Sequence, residues 1–135
     1  MSDSLTAALE ELRRAEKGQA MRYRALAALA EAGGDEATAQ RLHDLHADEQ
    51  HHLSRLTARL VELGQTPEEL PMSLATPPAL PGWEQEARRR EHEEIERYEH
   101  FLGGDLDPAT RALVQGIVEV EIHHRDELAG KWTIA

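Results

Sequence analysis

The chain has 135 residues, a length that suits one compact domain with a sizeable hydrophobic core. It contains no cysteine, which excludes disulfides, zinc ribbons, iron–sulfur clusters and a cysteine nucleophile. Its formal net charge of −11 argues against nucleic acid as a partner, because nucleic-acid binding depends on neutralising phosphates. Cations, small molecules and other protein chains are better candidates, although the same charge also serves to keep a small protein soluble.

The distribution of apolar residues bears on location. No apolar run approaches the roughly 18–20 residues that a helix needs to span a bilayer. The opening segment, MSDSLTAALEELRR, becomes charged before an apolar run develops, so it does not match a secretory signal peptide. We therefore expect a cytoplasmic protein that does not bind membranes.

The first half of the chain predicts two helices. Apolar residues at helical spacing predict one helix over about residues 4–32, with Ser4 as its N-cap. The Gly33-Gly34 pair ends it. A second helix follows over about residues 35–63, beginning near Asp35. The short turn between the two predicts an antiparallel hairpin.

The second half begins with residues 65–82, which hold five of the six prolines and predict a long extended connection. A third helix is predicted over about residues 83–102. The fourth spans about residues 108–131, where Pro108 occupies the first helical position. The sequence thus predicts a single all-α domain over residues 1–135, a four-helix bundle of two antiparallel hairpins joined by a long crossover connection.

Acidic residues interrupt the apolar stripe of every predicted helix. The first and third helices each place a glutamate in the stripe, while the second and fourth each place Glu-x-x-His there. Residues three apart on a helix share a face, so each Glu-x-x-His presents its carboxylate and imidazole together. The inward-facing set is Glu16, Glu49, His52, Glu91, Glu121 and His124, with either Glu94 or Ile95 following Glu91 on the third helix.

Four carboxylates converging in a core would repel one another, and a lone buried carboxylate is costly. Two divalent cations supply four positive charges and resolve that conflict. A glutamate from each of two helices plus Glu-x-x-His from each of the other two is the ligand set of di-iron and di-manganese carboxylate proteins. The competing interpretation is a metal-free helical interaction module, in which the carboxylates are protonated or paired with arginine.

The remaining basic residues predict solvated faces. Arg13 and Arg14 on the first helix, and Arg88–Arg90 on the third, fit a solvated surface better than an anion site. Surface or rim positions are also expected for the other histidines, of which His46 is the least certain because it lies one turn before Glu49. These are His43, His46, His51, His92, His100 and His123.

Four stretches resemble the rubrerythrin-type domain of the ferritin-like superfamily: EKGQAMRY, DEQHH, EHEEIERY and VEIHH. The resemblance covers about residues 5–130 and implies a role for each matching position. It implies that Glu49 and Glu121 bridge two metals, with Glu16 and Glu91 as terminal carboxylates. It also implies that His52 and His124 are terminal imidazoles and that Glu94 is an extra ligand. Tyr23 and Tyr98 are implied to hydrogen-bond carboxylates. Glu94 is alternatively a solvated carboxylate, and the tyrosines are alternatively plain core aromatics.

The resemblance also implies a function. It implies a non-haem protein with two iron ions, or with manganese or mixed metals, that reduces hydrogen peroxide or oxidises ferrous iron with peroxide or dioxygen. Rubrerythrins proper carry a cysteine-ligated rubredoxin domain, which this chain lacks, so an external electron-donor protein is expected. A non-enzymatic iron storage or delivery protein is the alternative. A homodimer or higher homo-oligomer is expected, and the long connection permits exchange of hairpins between two chains.

Overall fold

A computed structural model describes residues 2–128 of the chain. Within this span the chain forms four helices and no strand, which confirms the prediction of an all-α fold. None of these helices is long and apolar enough to cross a membrane. The helices are α1 (Ser2–Ala32), α2 (Glu36–Glu62), α3 (Trp83–Leu102) and α4 (Pro108–Glu127).

The chain divides into two compact units, residues 1–80 and 81–135. In the first unit α1 packs against α2. Near the turn, Glu31 of α1 contacts His43 of α2 at 2.8 Å. Far from the turn, Arg13 of α1 donates a hydrogen bond to Thr57 of α2 at 2.9 Å. Early α1 therefore faces late α2, as an antiparallel hairpin requires.

The second unit is built in the same way from α3 and α4. Near the turn, Arg111 of α4 donates hydrogen bonds to the carbonyl oxygens of Leu102 and Gly104, both at 2.9 Å. At the other end of this pair, His124 of α4 lies 3.6 Å from Glu91 of α3. Both predicted hairpins are thus present.

Side-chain caps fix the start of α2 and α4. Asp35 accepts a hydrogen bond from the backbone N–H of Thr38 at 3.1 Å, and Asp107 accepts one from that of Thr110 at 3.0 Å. The hydroxyl of Thr38 also donates to Asp35, and the two bonds lower the pKa of this carboxyl group. These caps satisfy backbone donors that the first helical turn leaves without an intrahelical partner.

Two predicted helix ends differ from those observed. Ser4 is not an N-cap, because α1 already begins at Ser2. Three successive residues here, Ser-Asp-Ser, all suit a cap, so helical periodicity does not distinguish between them. At the other end, α4 is described to Glu127 with Leu128 as its C-cap, and the predicted end at residue 131 lies outside the described residues.

Apolar stripes of the four helices form the cores, as the periodicity predicts. Leu9, Leu42, Ile95 and Ile117, one from each helix, are at most 2% exposed. The stripe of α4 is wide, because Val114 and Val118 are buried beside Leu113 and Ile117. A helix whose neighbours cover a broad arc buries adjacent residues as well as those at intervals of three and four.

The long connection has no helix or strand, in agreement with the prediction, but its start is fixed to the first hairpin. Arg13 forms an ion pair with Glu10 and also donates to the carbonyl oxygen of Glu68 at 3.2 Å. Glu10 accepts from the backbone N–H of Glu68 at 2.8 Å. We call these three residues the clasp. The prediction that Arg13 is solvated is therefore wrong, because this residue is only 6% exposed. Its neighbour Arg14 is exposed, as predicted.

Loss of the α4 cap should destabilise the protein. Replacing Asp107 with alanine removes the acceptor for the Thr110 N–H, and we expect the free energy of unfolding to fall by about 1 kcal/mol. Asp107→Asn keeps a side-chain acceptor and should stay within a few tenths of a kcal/mol of the wild type. Urea unfolding followed by circular dichroism measures both, and equal losses would rule out capping as the cause.

The clasp provides a second stability prediction. Arg13→Met leaves the buried carboxylate of Glu10 without its cation, and we expect a loss of about 3 kcal/mol in unfolding free energy. Arg13→Met combined with Glu10→Gln should be less destabilising, because glutamine removes the charge and still accepts from Glu68. Exposed Arg14→Met is the control for losing an arginine from α1, and an equal loss there would contradict the role of the clasp.

Candidate metal centre

Three buried side chains of the first unit form a close group, which we call the first triad. Glu16 comes from α1, while Glu49 and His52 come from consecutive turns of α2. Both glutamates are 0% exposed and His52 is 4% exposed. Nδ1 of His52 lies 3.4 Å from Oε2 of Glu16 and 3.7 Å from Oε1 of Glu49. The i, i+3 spacing on α2 places its two members side by side.

The second unit contains a matching group, the second triad. Glu91 comes from α3, while Glu121 and His124 come from α4. Both glutamates are 0% exposed and His124 is 3% exposed. Nδ1 of His124 lies 3.6 Å from Oε2 of Glu91 and 3.2 Å from Oε1 of Glu121. Each hairpin therefore presents a glutamate from its first helix and Glu-x-x-His from its second, with Nδ1 turned toward the carboxylates.

The geometry within each triad suits a metal ion. Each residue offers one ligand atom, and these atoms lie within 4.8 Å of one another in both triads. Donor atoms that bind one ion at about 2.1 Å lie roughly 3–4 Å apart, which is the range of the observed contacts. Carboxylate plus imidazole, without thiolate, suits iron, manganese or zinc rather than a soft metal. The triads can thus hold a metal ion.

The charges in the second triad also favour the binding of a cation. Burial lowers the pKa of His124, but its close contacts with Glu121 and Glu91 and their negative charges outweigh burial and raise the pKa to about 11. Without metal, the imidazole is thus held protonated as a cation between two carboxylates. A divalent cation supplies more positive charge to the same oxygens and requires the imidazole to give up that proton.

Glu94, predicted as an extra ligand or a solvated carboxylate, is only 3% exposed, so the solvated alternative is wrong. Among the described residues it lies outside the close groups that form the triads. Arg97, three residues later on α3, donates a hydrogen bond to its Oε1 at 2.8 Å. Sequence analysis missed this partner, although i, i+3 spacing of Glu and Arg is a signal for such a pair.

Tyr23 and Tyr98 occupy equivalent positions relative to the triads. Each follows the first glutamate of its triad by seven residues, or about two helical turns. They are 1% and 0% exposed, respectively. A buried phenol needs a hydrogen-bond partner, so both positions suit an interaction with buried polar groups.

The histidines outside the triads do not join them. Five are exposed as predicted, and His46 is half-buried. Burial lowers the pKa of His46, and the positive charges of Arg24, His43 and Lys17 lower it further. The exposed histidines are His43, His51, His92, His100 and His123.

Comparison with known proteins identifies a family for the first part of the chain. The family model described as "Ferritin-like domain" matches residues 1–80, which is more than half of the chain. The matched part contains the whole first triad. A comparison with curated proteins finds no match.

Metal binding should raise the thermal stability of the chain. At a free ferrous or manganous ion concentration 100 times Kd, one ion adds about 2.7 kcal/mol, or roughly 10 °C in Tm for a chain of this size. The measurement is differential scanning fluorimetry under anaerobic conditions, with and without metal. Glu16→Gln and Glu91→Gln should lose most of the gain, whereas exposed Glu99→Gln should keep it. An unchanged Tm in the wild type would favour the metal-free module.

Proposed function

The chain belongs to the ferritin-like domain family, and we propose that it is a rubrerythrin-type dinuclear iron protein. Its proposed activity is the reduction of hydrogen peroxide, or the oxidation of ferrous iron by peroxide or dioxygen. The observation that carries this proposal is the repeated triad: two hairpins each bury Glu, Glu and His with ligand atoms within 4.8 Å. A buried Glu/His group and a ferritin-like domain together fit a di-iron protein.

The proposed centre draws its ligands from all four helices. Dinuclear carboxylate proteins of this family take one glutamate from each of two helices and Glu-x-x-His from each of the other two, all projecting inward. The two triads supply that set without a residue missing. We propose that Glu49 and Glu121 bridge the two metals and that Glu16, Glu91 and the two histidines are terminal ligands. Four carboxylates then balance two divalent cations.

When bound, two ferrous ions supply the two electrons that, with two protons, convert hydrogen peroxide into two molecules of water. The role of the protein is to position and insulate this chemistry. Burial of the carboxylates to 0% exposure keeps bulk water away from the reacting atoms. It also strengthens the interaction between the carboxylates and added positive charge, because the local dielectric is low.

Three further residues are proposed to adjust the centre. The carboxylate of Glu94 is buried and held by Arg97, and we propose that it moves to a metal when the charge of the centre changes. Such a movement breaks the ion pair with Arg97, and the positive charge of the metal would replace that of the arginine beside the buried carboxylate. Tyr23 and Tyr98 are proposed to donate hydrogen bonds to ligand carboxylates and so fix their orientation.

The proposed reaction also needs a source of electrons. The chain has no cysteine to bind a rubredoxin-type iron, so we propose an external electron-donor protein. Assembly into a homodimer or higher homo-oligomer is proposed as well, because exposed apolar residues such as Leu29 and Val61 are available for self-association.

Metal analysis tests the proposal directly. Inductively coupled plasma mass spectrometry after anaerobic ferrous loading should find close to two irons per chain in the wild type. Glu49→Ala and Glu121→Ala should each lose at least half of the iron and reduce peroxide consumption by ten-fold or more. Asp48→Ala and Glu119→Ala are matched controls, because these exposed carboxylates neighbour the ligands in sequence, and both should behave like the wild type.

Other results of this metal analysis would favour the alternative functions. Many irons per chain in a large assembly would indicate storage rather than peroxide reduction. No bound iron after loading would overturn the dinuclear centre and the enzyme assignment with it. Any zinc found in the purified protein should be removed before iron loading, because zinc competes well for carboxylate and imidazole sites.

A further inference from the structure

Two grooves open on the surface of the first unit, one lined by α1, α2 and the long connection and the other by α1 and the connection. One has a volume of about 490 Å³ and includes Leu53, Leu70 and Met72 in its lining. The other has a volume of about 530 Å³ and includes Met21, Leu74 and Met72. Lys17 and Met72 line both, so the two grooves adjoin, and we call them together the α1 groove.

The α1 groove is long and open. On α1 it extends from Arg13 to Ala28, a distance of about 22 Å at 1.5 Å per residue. Methionines line it at two positions, and Met72 is 86% exposed. Flexible methionines are typical of surfaces that adapt to peptides. The clasp holds the connection at Glu68, directly before the segment that forms the groove wall.

The charge of the groove is opposite to that of the chain. Asp and Glu account for 26 of the 135 residues, yet none of the described residues that line the groove is acidic. Lys17 and Arg24 line it, and within residues 2–128 neither forms an ion pair. Their positive charge also acts on the neighbouring His46. Burial lowers the pKa of His46, and the charges of Lys17 and Arg24 lower it further.

The groove lies immediately beside the first triad in sequence. Lys17, Gln50 and Leu53 line it, and each directly follows a triad residue. Successive Cα atoms are 3.8 Å apart, so these lining residues adjoin the triad residues along the backbone of both helices, while the triad side chains themselves are buried.

From these observations we propose that the α1 groove binds an acidic, partly apolar segment of a partner protein. Lys17 and Arg24 lie two helical turns apart, or about 10 Å along α1, and would pair with two carboxylates at similar spacing. Apolar side chains between those carboxylates would contact Met21 and Met72. An open groove over 20 Å long with separated cations suits a peptide segment better than a compact small molecule. The inference does not depend on the metal centre.

A defined probe tests the charge requirement. The probe is a fluorescein-labelled amphipathic peptide with two glutamates seven residues apart and a leucine pair midway between them. Fluorescence anisotropy should show saturable binding to the full chain that weakens with added salt. Lys17→Gln combined with Arg24→Gln should weaken binding about ten-fold. Arg55→Gln combined with Arg88→Gln makes the same charge change at exposed positions outside the groove and should leave probe binding unaltered.

A second pair of variants tests the apolar wall. Met72→Ser should weaken binding several-fold, whereas Val61→Ser should not, although Val61 is also exposed, at 58%. Neither side chain belongs to a core, so both variants should fold. A peptide with glutamine in place of both glutamates is expected to bind at least ten-fold more weakly than the probe.

Other results would overturn the proposal. Absence of saturable probe binding, or equal binding by the groove variants and their controls, would remove the groove as a docking site. Sedimentation velocity without peptide tests the other candidate occupant, a second copy of this chain. If the wild type is an oligomer and the variant with Lys17→Gln and Arg24→Gln is not, the groove binds a second copy rather than a partner protein. Each experiment can be performed on protein without bound metal, so its failure is separate from failure of the proposed centre.

Discussion

The burial of carboxylates in helix cores is the constraint on which this structure depends. Six glutamates in the described residues are buried, and an ionised carboxylate removed from water costs on the order of several kcal/mol unless positive charge accompanies it. Two of them, Glu10 and Glu94, have an arginine three residues later that forms an ion pair with them. The other four are Glu16, Glu49, Glu91 and Glu121, and they form the triads.

The triads solve the problem differently. In each, two glutamate side chains lie against one imidazole, so a single basic group faces two acidic groups within the triad. The raised pKa of His124 reflects its contacts with Glu121 and Glu91, which outweigh the effect of burial. Arginine keeps its proton and does not bind a metal, whereas an imidazole can give up its proton and bind one. The two kinds of buried carboxylate thus differ in their nearest cation: the four of the triads lie beside an imidazole, and Glu10 and Glu94 are paired with arginine.

Periodicity was sufficient to predict most of the site, because glutamate and histidine interrupt otherwise apolar stripes at intervals of three and four. Such interruptions carry information precisely where a polar residue is unexpected, as at Glu49 and His52. Arg13 was mispredicted for the opposite reason. Its burial depends on Glu10, Thr57 and the backbone of Glu68, which come from three separate segments, and no local spacing reveals that long-range contact. The α1 groove also escaped prediction, since the irregular connection forms one of its walls.

The clasp has a consequence for how the connection tolerates change. Although residues 63–82 contain no helix or strand, they are not uniform: the clasp holds Glu68, and residues 70–78 include the groove wall. Inserting residues before Glu68 would move the backbone groups that Glu10 and Arg13 bind, whereas residues 79–82 take part in neither feature. Loop-closure entropy rises only slowly with length, so added residues cost little where no contact depends on register. Length variation in this apparently featureless stretch is therefore best tolerated at residues 79–81, before Gly82, which is the N-cap of α3 and accepts a hydrogen bond from the backbone N–H of Glu86.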